Sequence, residues 1–97
     1  MQKSWVYILT NKNKTVLYTG VTSNLQKRMN EHKNKTYKGF SATYNCDKLV
    51  FVQEFSEISR GIDYEKKLKA GNRARKEKLI NIQNPEWNDL SEHLILG

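Results

Sequence analysis

The sequence has few of the features that mark a secreted or membrane protein. It contains a single cysteine, Cys46, so no internal disulfide can form, which suits a reducing compartment. No apolar run approaches the roughly 20 residues of a membrane-spanning helix, and the N-terminus lacks the apolar core of a signal peptide. We therefore expect a cytoplasmic protein. We interpret Cys46 as a small, partly buried residue.

Acidic residues are scarce relative to basic ones. Lys and Arg number 17 and Asp and Glu number 10, which gives a formal net charge of +7 at pH 7. Seven of the basic residues lie between positions 66 and 78, and none follows. A one-sided basic surface is expected of a protein that binds a polyanion. For an isolated basic run, the solvated face of a helix is an equally supported alternative.

The chain is too short for two domains. Its 97 residues can bury one modest core, and 37% of them are hydrophobic, as expected of a globular protein. We predict a single domain over residues 1–97, with a core at about 4–82 and a docking segment at 83–97. Pro85 would end the preceding helix, and an exposed side of the core would be covered by Trp87, Leu90, Leu94 and Ile95.

Two short runs near the N-terminus predict a β-hairpin. Residues 5–9 and 16–21 are rich in β-branched and aromatic side chains and flank a polar segment. A turn in the middle of that segment would place Tyr7 directly opposite Tyr18, with Cβ atoms within about 5.5 Å. The two phenols would then lie side by side. Taken alone, such a pair is more often ordinary sheet packing than a functional site.

The residues after the second run predict a helix. Gly20 permits a close approach to the backbone, and Ser23 with Gln26 fits a capping box, so we expect the helix to run from Ser23 to about Lys33. One face of it carries side chains at helical spacing, namely Leu25, Arg28, Met29 and His32.

The apolar members of that face would anchor the helix on the sheet. Arg28 and His32 would then lie at the edge of the packed surface, where a polar group needs a partner. His32 alone is more often a surface or capping histidine than a catalytic group.

Residues 34–47 lack a sustained period and predict a loop with at most a short helical turn. This loop could bind phosphates and stack on unpaired bases with Lys35, Lys38, Tyr37 and Tyr44. For Phe40 and Tyr44 we favour the alternative that their rings pin the loop to the core.

Residues 48–55 predict a third strand, in a middle or well-covered position because both of its faces are largely apolar. The expected fold is therefore α+β, with a small three-stranded antiparallel sheet flanked by helices. Two further helices should follow. The first has Ser59 as its candidate N-cap and Gly71 as its C′ residue, and the second begins after Asn72 and ends near Ile82. In the second we expect inward packing of Leu79, Ile80 and Ile82.

Glu65 is unusual in the first of these helices. It lies between Ile62 and Leu68 on the expected inward stripe, where a carboxylate must be paired or bind a metal. From the spacing alone, an ion pair or partial exposure is the more common outcome.

Together these residues resemble the GIY-YIG nuclease domain, in particular its small stand-alone bacterial members. The resemblance rests on Tyr7, on the Tyr-Thr-Gly triplet that begins at Tyr18, and on Arg28 and His32 four residues apart. It extends over about residues 5–90. The first triplet reads Trp-Val-Tyr rather than Gly-Ile-Tyr, but both triplets retain the tyrosine.

The resemblance implies a metal-dependent endonuclease that hydrolyses phosphodiester bonds in DNA, structure-directed or of low sequence specificity, in repair, recombination or nucleic-acid turnover. Its catalytic residues would be Tyr7, Tyr18, Arg28, His32 and Glu65. Glu65 would hold one Mg²⁺ or Mn²⁺ ion, and Gly20 would be a structural glycine. Tyr7 would act as the base, Tyr18 would orient it or the phosphate, Arg28 would stabilise charge, and His32 would assist by hydrogen bonding or proton transfer.

The expected partner is nucleic acid, DNA before RNA, with no membrane contact and a monomeric or weakly dimeric state. Candidate nucleic-acid contacts are Lys27, Lys33, Lys35, Lys38, Lys69, Arg73, Arg75 and Lys76. The alternative function is a catalytically weak or inert nucleic-acid-binding module of the same fold. The least supported alternative is a basic scaffold that contacts an acidic protein. Some family members use a late asparagine, and we leave open which of Asn72, Asn81, Asn84 and Asn88 would fill that role.

Overall fold

The structure, a computed structural model, describes residues 2–92 of the chain. Its elements are, in chain order, β1 (Ser4–Thr10), β2 (Leu17–Thr22), α1 (Leu25–Lys33), α2 (Phe40–Thr43), β3 (Lys48–Phe55), α3 (Ile58–Ala70) and α4 (Arg73–Gln83). The three strands form one antiparallel sheet in the order β2-β1-β3. The predicted fold is therefore confirmed. None of the helices within residues 2–92 combines the length and the apolar character that crossing a bilayer requires.

The pairing of β1 with β2 differs from the predicted register. Tyr7 lies opposite Gly20, and Tyr18 lies opposite Leu9, so the prediction that the two tyrosines oppose each other is wrong. The Asn11 side chain fixes a later turn, because its Oδ1 accepts hydrogen bonds from the backbone N–H groups of Thr15 and Val16 at 2.9 and 3.2 Å. A shift of two residues preserves the face of each side chain, so both phenols still lie on one face of the sheet.

Each face of the sheet carries its own hydrophobic cluster. One contains Tyr7 and Leu9 and is covered by α1 through Leu25 and Met29, with the fully buried Cys46 beside them. The other packs against α4 and the segment that follows it, and its buried members are Ile8, Val50, Phe51, Ile80 and Trp87. The Trp87 ring thus covers the core as predicted, whereas Leu94 and Ile95 lie outside the described residues.

β3 lies at an edge of the sheet, and β1 takes the middle position. The outer edge of β3 is nevertheless covered, which is one way in which proteins protect an edge strand. The Gln83 side chain accepts a hydrogen bond from Val52 N at 2.9 Å and donates one to Val52 O at 2.7 Å, as a neighbouring strand would. Asn84 Nδ2 donates to Val50 O at 3.1 Å. The predicted well-covered position is correct for this reason.

α1 begins one residue later than predicted. Asn24, rather than Ser23, is its N-cap, and the Asn24 side chain accepts a hydrogen bond from Lys27 N at 3.1 Å. β2 extends to Thr22, whose hydroxyl oxygen accepts a hydrogen bond from Asn24 N at 3.1 Å. This short turn leaves Asn24 as the residue in position to cap the helix.

α3 also begins at a different residue, with Glu57 rather than Ser59 at its N-cap. Ser4 Oγ donates to Glu57 O at 3.0 Å and so joins the start of α3 to β1. Gly61, not Ile62, is the residue that faces the sheet, because a side chain at Gly61 would collide with Ser4. The prediction that Ile62 packs inward is therefore wrong.

α4 has the predicted N-cap, since Asn72 Oδ1 accepts a hydrogen bond from Arg75 N at 3.0 Å. Ile80 is fully buried, but Ile82 is 73% exposed, so the inward packing predicted for Ile82 is wrong. Ile82 lies two residues after Ile80 and therefore points away from the buried stripe.

Asp89 joins the segment after α4 to α1 and β3. Its carboxylate pairs with Lys33 Nζ at 2.8 Å and accepts hydrogen bonds from Ser91 Oγ at 2.6 Å and from Leu49 N at 3.2 Å. Burial by itself raises the pKa of Asp89, but the hydrogen bonds from Lys33 and Ser91 outweigh it and hold the pKa below its usual range.

We expect Asp89→Asn to lower the free energy of unfolding by about 1–3 kcal/mol near neutral pH, because the replacement puts an amide NH₂ group in place of the carboxylate oxygen that pairs with Lys33 Nζ. A lowered carboxyl pKa stabilises the folded state above the ordinary pKa, and this stability is lost as the pH falls through the lowered value. Urea unfolding at pH 7 and pH 3 should therefore show a smaller difference between the two proteins at pH 3. An undiminished difference would contradict this account, and Glu86→Gln, an exposed acid nearby, serves as the control.

Candidate active site

Tyr7 lies at the centre of the candidate site, in the middle strand of the sheet. Its side chain is fully buried, and its hydroxyl lies 3.0 Å from His32 Nε2 and 3.4 Å from Arg28 Nη1. Burial raises the pKa of Tyr7 to about 12, although the hydrogen bond from Arg28 opposes the shift. Tyr7 is therefore a neutral phenol at pH 7.

Gly20 makes room for the Tyr7 ring. A Cβ atom at this position would collide with Tyr7 Oη and with the ring carbons next to it. The glycine of the Tyr-Thr-Gly triplet is thus required by close packing on the opposite strand.

We expect Gly20→Ala to lower the free energy of unfolding by about 1–3 kcal/mol, the usual cost of overpacking, and to displace the Tyr7 hydroxyl from His32. Urea unfolding measures the first effect. Gly71→Ala is the matched control, because a Cβ there would meet Arg75 Cδ, a flexible side-chain atom, at 3.3 Å. Equal stabilities of the two variants would contradict the packing argument.

Tyr18 lies beside Tyr7 on β2, with ring centroids 6.4 Å apart and planes inclined by 42°. Unlike Tyr7, it is only partly buried. Burial raises the pKa of Tyr18 above its usual range, and the neighbouring hydroxyl of Tyr37 adds to the shift. Tyr18 is therefore also a neutral phenol, and it lies nearer to solvent than Tyr7.

His32 lies between Tyr7 and the short helix α2, and it is 3% exposed. Its Nδ1 is 3.0 Å from Ser41 Oγ, so both ring nitrogens have a partner. Burial lowers the pKa of His32 to about 4, and the positive charge of Arg28 adds to the shift. His32 is consequently a neutral imidazole at pH 7.

The hydrogen-bond partners determine how these groups share their protons. Arg28 can only donate, so the Tyr7 oxygen accepts from it and directs its own hydrogen to His32 Nε2. A neutral imidazole then carries its hydrogen on Nδ1 and donates it to Ser41 Oγ. The resulting chain runs from Tyr7 through His32 to Ser41, with His32 Nε2 as a proton acceptor.

Arg28 is held by three different groups. Its Nε lies 3.3 Å from Glu31 Oε1, and its guanidinium carbon lies 4.4 Å from the centroid of the Tyr37 ring, a cation–π distance. Together with the contact to Tyr7, these neighbours hold the guanidinium beside both phenols. A fixed cation in this position can stabilise negative charge that develops on a phosphate.

Glu65 lies on α3, which packs against β1 and β2. Its side chain is 14% exposed, and its Oε2 lies 3.2 Å from Lys69 Nζ. The Glu65 charge is close enough to Tyr7 to contribute to the rise of the Tyr7 pKa. Glu65 is thus both paired with Lys69 and partly exposed. This is the outcome that its helical spacing alone favoured.

A cluster of three or more His, Cys, Asp and Glu side chains suited to a metal does not occur within residues 2–92. A single carboxylate is nevertheless compatible with Mg²⁺, which keeps several water ligands and often binds through one or two carboxylates plus substrate phosphates. The partly exposed Glu65 carboxylate, which pairs with the flexible side chain of Lys69, fits such a site.

Two side chains around the site were not predicted to belong to it. Ser41 is buried and contacts His32, although nothing in the spacing of residues 34–47 marks it. Tyr37, considered only for base stacking, lies with its ring 4.8 Å from that of His32 and covers Arg28.

Phe40 and Tyr44 do not pin the loop to the core. They are 50% and 48% exposed, so the interpretation that we favoured is wrong. The loop is instead anchored by Ser41, which leaves the neighbouring ring at position 40 on the surface. Phe40 stacks against Tyr18, with centroids 6.3 Å apart and planes 22° apart.

The eight basic residues predicted to contact nucleic acid have different surroundings. Lys33 is bound to Asp89, and Arg73 donates from Nη1 and Nη2 to Thr15 O and Lys14 O at 2.8 and 2.7 Å, so these two hold the fold together. The side chains that remain exposed on the surface are Lys27, Lys35, Lys38, Lys69 and Arg75, whereas Lys76 is partly buried.

The late asparagines have structural contacts. Asn84 is buried and exchanges hydrogen bonds with the backbone of Asn88 at 2.8 and 3.1 Å. Asn81 Oδ1 accepts from Trp87 Nε1 at 2.7 Å, and Asn72 caps α4. We assign none of them to the site.

Known proteins resemble this chain in sequence and in fold. A family model described as the GIY-YIG catalytic domain matches residues 3–78. A UPF0213 protein of Syntrophus aciditrophicus is 39% identical over 87 residues, 89% of this chain and 98% of the relative. A UPF0213 protein of Natronomonas pharaonis is 32% identical over 76 residues, 78% of this chain and 88% of the relative. The NMR structure of a UPF0213 protein from Bacillus halodurans has the same fold, with a TM-score of 0.58 and 23% identity over 90% of this chain and 92% of that one.

Proposed function

Because the chain belongs to the GIY-YIG family, whose members are generally endonucleases, we propose that it is a divalent-metal-dependent endonuclease acting on DNA. The observation that carries the proposal is the Tyr7 hydroxyl, which lies within 3.0 Å of a neutral histidine and 3.4 Å of Arg28. A phenol between a proton acceptor and a fixed cation is suited to relay a proton from the attacking water molecule to that acceptor as the phosphodiester is hydrolysed.

The proposed proton path runs along the hydrogen bond between Tyr7 and His32, and the pKa values of the two groups bear on its cost. With a pKa of about 12, Tyr7 would cost roughly 7 kcal/mol to ionise at pH 7 if it released its proton to solvent. With a pKa of about 4, His32 costs only about 4 kcal/mol to protonate at the same pH. In our proposal the attacking water gives its proton to Tyr7 Oη while Tyr7 passes its own proton to His32 Nε2.

This path requires a side chain to move when substrate binds. Tyr7 is fully buried, so water reaches its hydroxyl only after a neighbouring group is displaced. Tyr37 covers His32 and Arg28 and belongs to the loop before α2, which makes it the side chain that we expect to move. Phosphate would then contact the Arg28 guanidinium and the more exposed phenol of Tyr18.

Glu65 is the residue that we propose to hold the divalent ion. When bound, Mg²⁺ or Mn²⁺ supplies Lewis-acid stabilisation of charge on the phosphate and on the leaving oxygen. Lys69 would release Glu65 at that point and remain available to the DNA backbone. Exposed lysines and arginines on α3, α4 and the loop after α1 supply the attraction for phosphate, which does not depend on sequence.

We propose low sequence specificity, because contacts between exposed basic side chains and the phosphate backbone carry no information about base sequence. Structure-directed cutting in repair, recombination or nucleic-acid turnover fits such a protein. We expect it to act in the cytoplasm, on DNA of the nucleoid, as a monomer or weak dimer.

The test is incubation of the purified protein with labelled single-stranded, duplex, flap and branched DNA and with matched RNA, in Mg²⁺, Mn²⁺ or EDTA. We expect cleavage of DNA in the presence of metal, slower or no cleavage of RNA, and no cleavage in EDTA. The proposal is overturned if no substrate is cut with either metal, or if cutting persists in EDTA.

The second candidate function is nucleic-acid binding without turnover. It is favoured by the complete burial of Tyr7 and by the pairing of Glu65 with Lys69 in the same structure. Salt-dependent binding of every DNA in the panel without cleavage of any would support it.

A further inference from the structure

Two exposed rings lie beside the candidate active site, and we call Phe40 and Tyr44 the aromatic platform. Their side chains are half-exposed, and their ring centroids are 4.7 Å apart. Most large aromatic side chains are buried, and adjoining exposed ones often mark a binding surface. We therefore expect the platform to bind a ligand that has an apolar or aromatic face.

The platform is continuous with the catalytic phenols. Phe40 stacks on Tyr18 at a centroid distance of 6.3 Å, and Tyr18 is 6.4 Å from Tyr7. A row of rings thus leads from the surface to the buried hydroxyl of Tyr7. A ligand group on the platform lies next to any phosphodiester held by Tyr18.

The platform is held in place rather than being a mobile loop tip. Ser41, between Phe40 and Tyr44, is buried, and its hydroxyl contacts His32. Its carbonyl oxygen accepts a hydrogen bond from Cys46 N at 2.8 Å. Because these contacts fix α2 before any ligand binds, little ordering is needed on binding.

The charge around the platform favours a polyanion. The loop of residues 34–47 carries two lysines near the platform and one acidic residue, Asp47, at its end. Lys35 Nζ lies 2.6 Å from Asn45 Oδ1, which keeps a positive charge beside Tyr44, and the exposed Lys38 precedes Phe40 by two positions. Aromatic rings that receive bases, combined with cations that follow the backbone, are the usual means of binding single-stranded nucleic acid.

We propose that the aromatic platform binds an unpaired nucleobase of the strand that is cut, so that single-stranded DNA is the preferred substrate class. In a duplex both faces of a base are already stacked, and a base reaches the platform only after unstacking and unpairing. This inference rests on the proposed function for the cutting step, but base binding itself is independent of cleavage.

The experiment measures affinity without chemistry. Labelled single-stranded DNA and a duplex of the same sequence are titrated in EDTA with wild type, Phe40→Ala, Tyr44→Ala and the double variant. We expect single-strand affinity to fall about 5- to 100-fold for each ring removed, and duplex affinity to change by less than about 2-fold. Phe40→Tyr should bind as wild type does, because it retains an aromatic face.

Ile82→Ala is the matched control, since it removes an exposed apolar side chain on α4. Unchanged single-strand affinity in the double variant overturns the inference, and so does an equal loss for single strand and duplex. A change of oligomeric state in the platform variants, with DNA affinity unchanged, also overturns it and marks the platform as a protein contact.

Failure of this inference is distinguishable from failure of the proposed function. Loss of single-strand binding in the platform variants supports base binding by the platform, even if wild type cuts nothing in Mg²⁺. If wild type cuts DNA but Phe40→Ala changes neither binding nor the preference for single strands, base binding by the platform is rejected. The nuclease proposal is then unaffected.

Discussion

Replacing Tyr7 with Phe is expected to slow DNA cleavage by about 10²- to 10⁴-fold, the range that general acid–base catalysis contributes. The substitution removes only the hydroxyl that joins His32 Nε2 to Arg28 Nη1. It also leaves Nε2 of the buried His32 without a partner and removes one contact of the partly exposed Arg28, which should lower the free energy of unfolding by about 1–3 kcal/mol. Single-turnover cleavage and urea unfolding measure the two effects separately.

Tyr64→Phe is the matched control, because Tyr64 is a partly buried tyrosine on α3 whose ring packs against Phe55. It should cut DNA at the wild-type rate. A Tyr7→Phe protein that folds, binds DNA and cuts as fast as the control would exclude the Tyr7 hydroxyl from the chemistry.

Glu65→Gln is expected to abolish measurable cleavage, with a loss of at least about 10³-fold, because the carboxylate proposed to hold the metal is gone. DNA binding in EDTA should be unchanged or slightly tighter, since the substitution removes a negative charge and releases Lys69. Cleavage as a function of Mg²⁺ and Mn²⁺ concentration provides the measurement.

Glu77→Gln provides a control of the same chemistry in the adjacent helix. Glu77 pairs with Arg73 at 3.0 Å and four residues apart, as Glu65 pairs with Lys69, so both variants break one helical ion pair. We expect Glu77→Gln to cut normally. Similar cleavage by both variants would remove Glu65 from the site.

The pattern of the sequence was sufficient to predict the sheet and the face shared by the two tyrosines. Alternation along a strand fixes which face a side chain occupies, and a register error of two residues does not alter it. The register itself depends on two hydrogen bonds to the Asn11 side chain, which strand propensity does not encode. Tyr7 therefore faces Gly20, and the tyrosines meet diagonally.

The surroundings of His32 were harder to predict because they come from a loop. His32 and Ser41 are nine residues apart with no helical or strand period between them, so their contact leaves no signal in the spacing. That contact determines where α2 lies, and hence that Phe40 and Tyr44 are exposed. Hydrophobicity alone predicts that both rings are buried, and this prediction is wrong.

Reversal of cleavage by metal removal and replacement tests the central claim most directly. A time course with wild type and one labelled single-stranded DNA would begin in Mg²⁺, continue after excess EDTA, and end after excess Mg²⁺ is restored. We predict that products accumulate, stop in EDTA, and accumulate again at the first rate. Absence of products in Mg²⁺, or unbroken accumulation through the EDTA interval, would contradict the assignment of Tyr7, His32, Arg28 and Glu65 to a metal-dependent nuclease site.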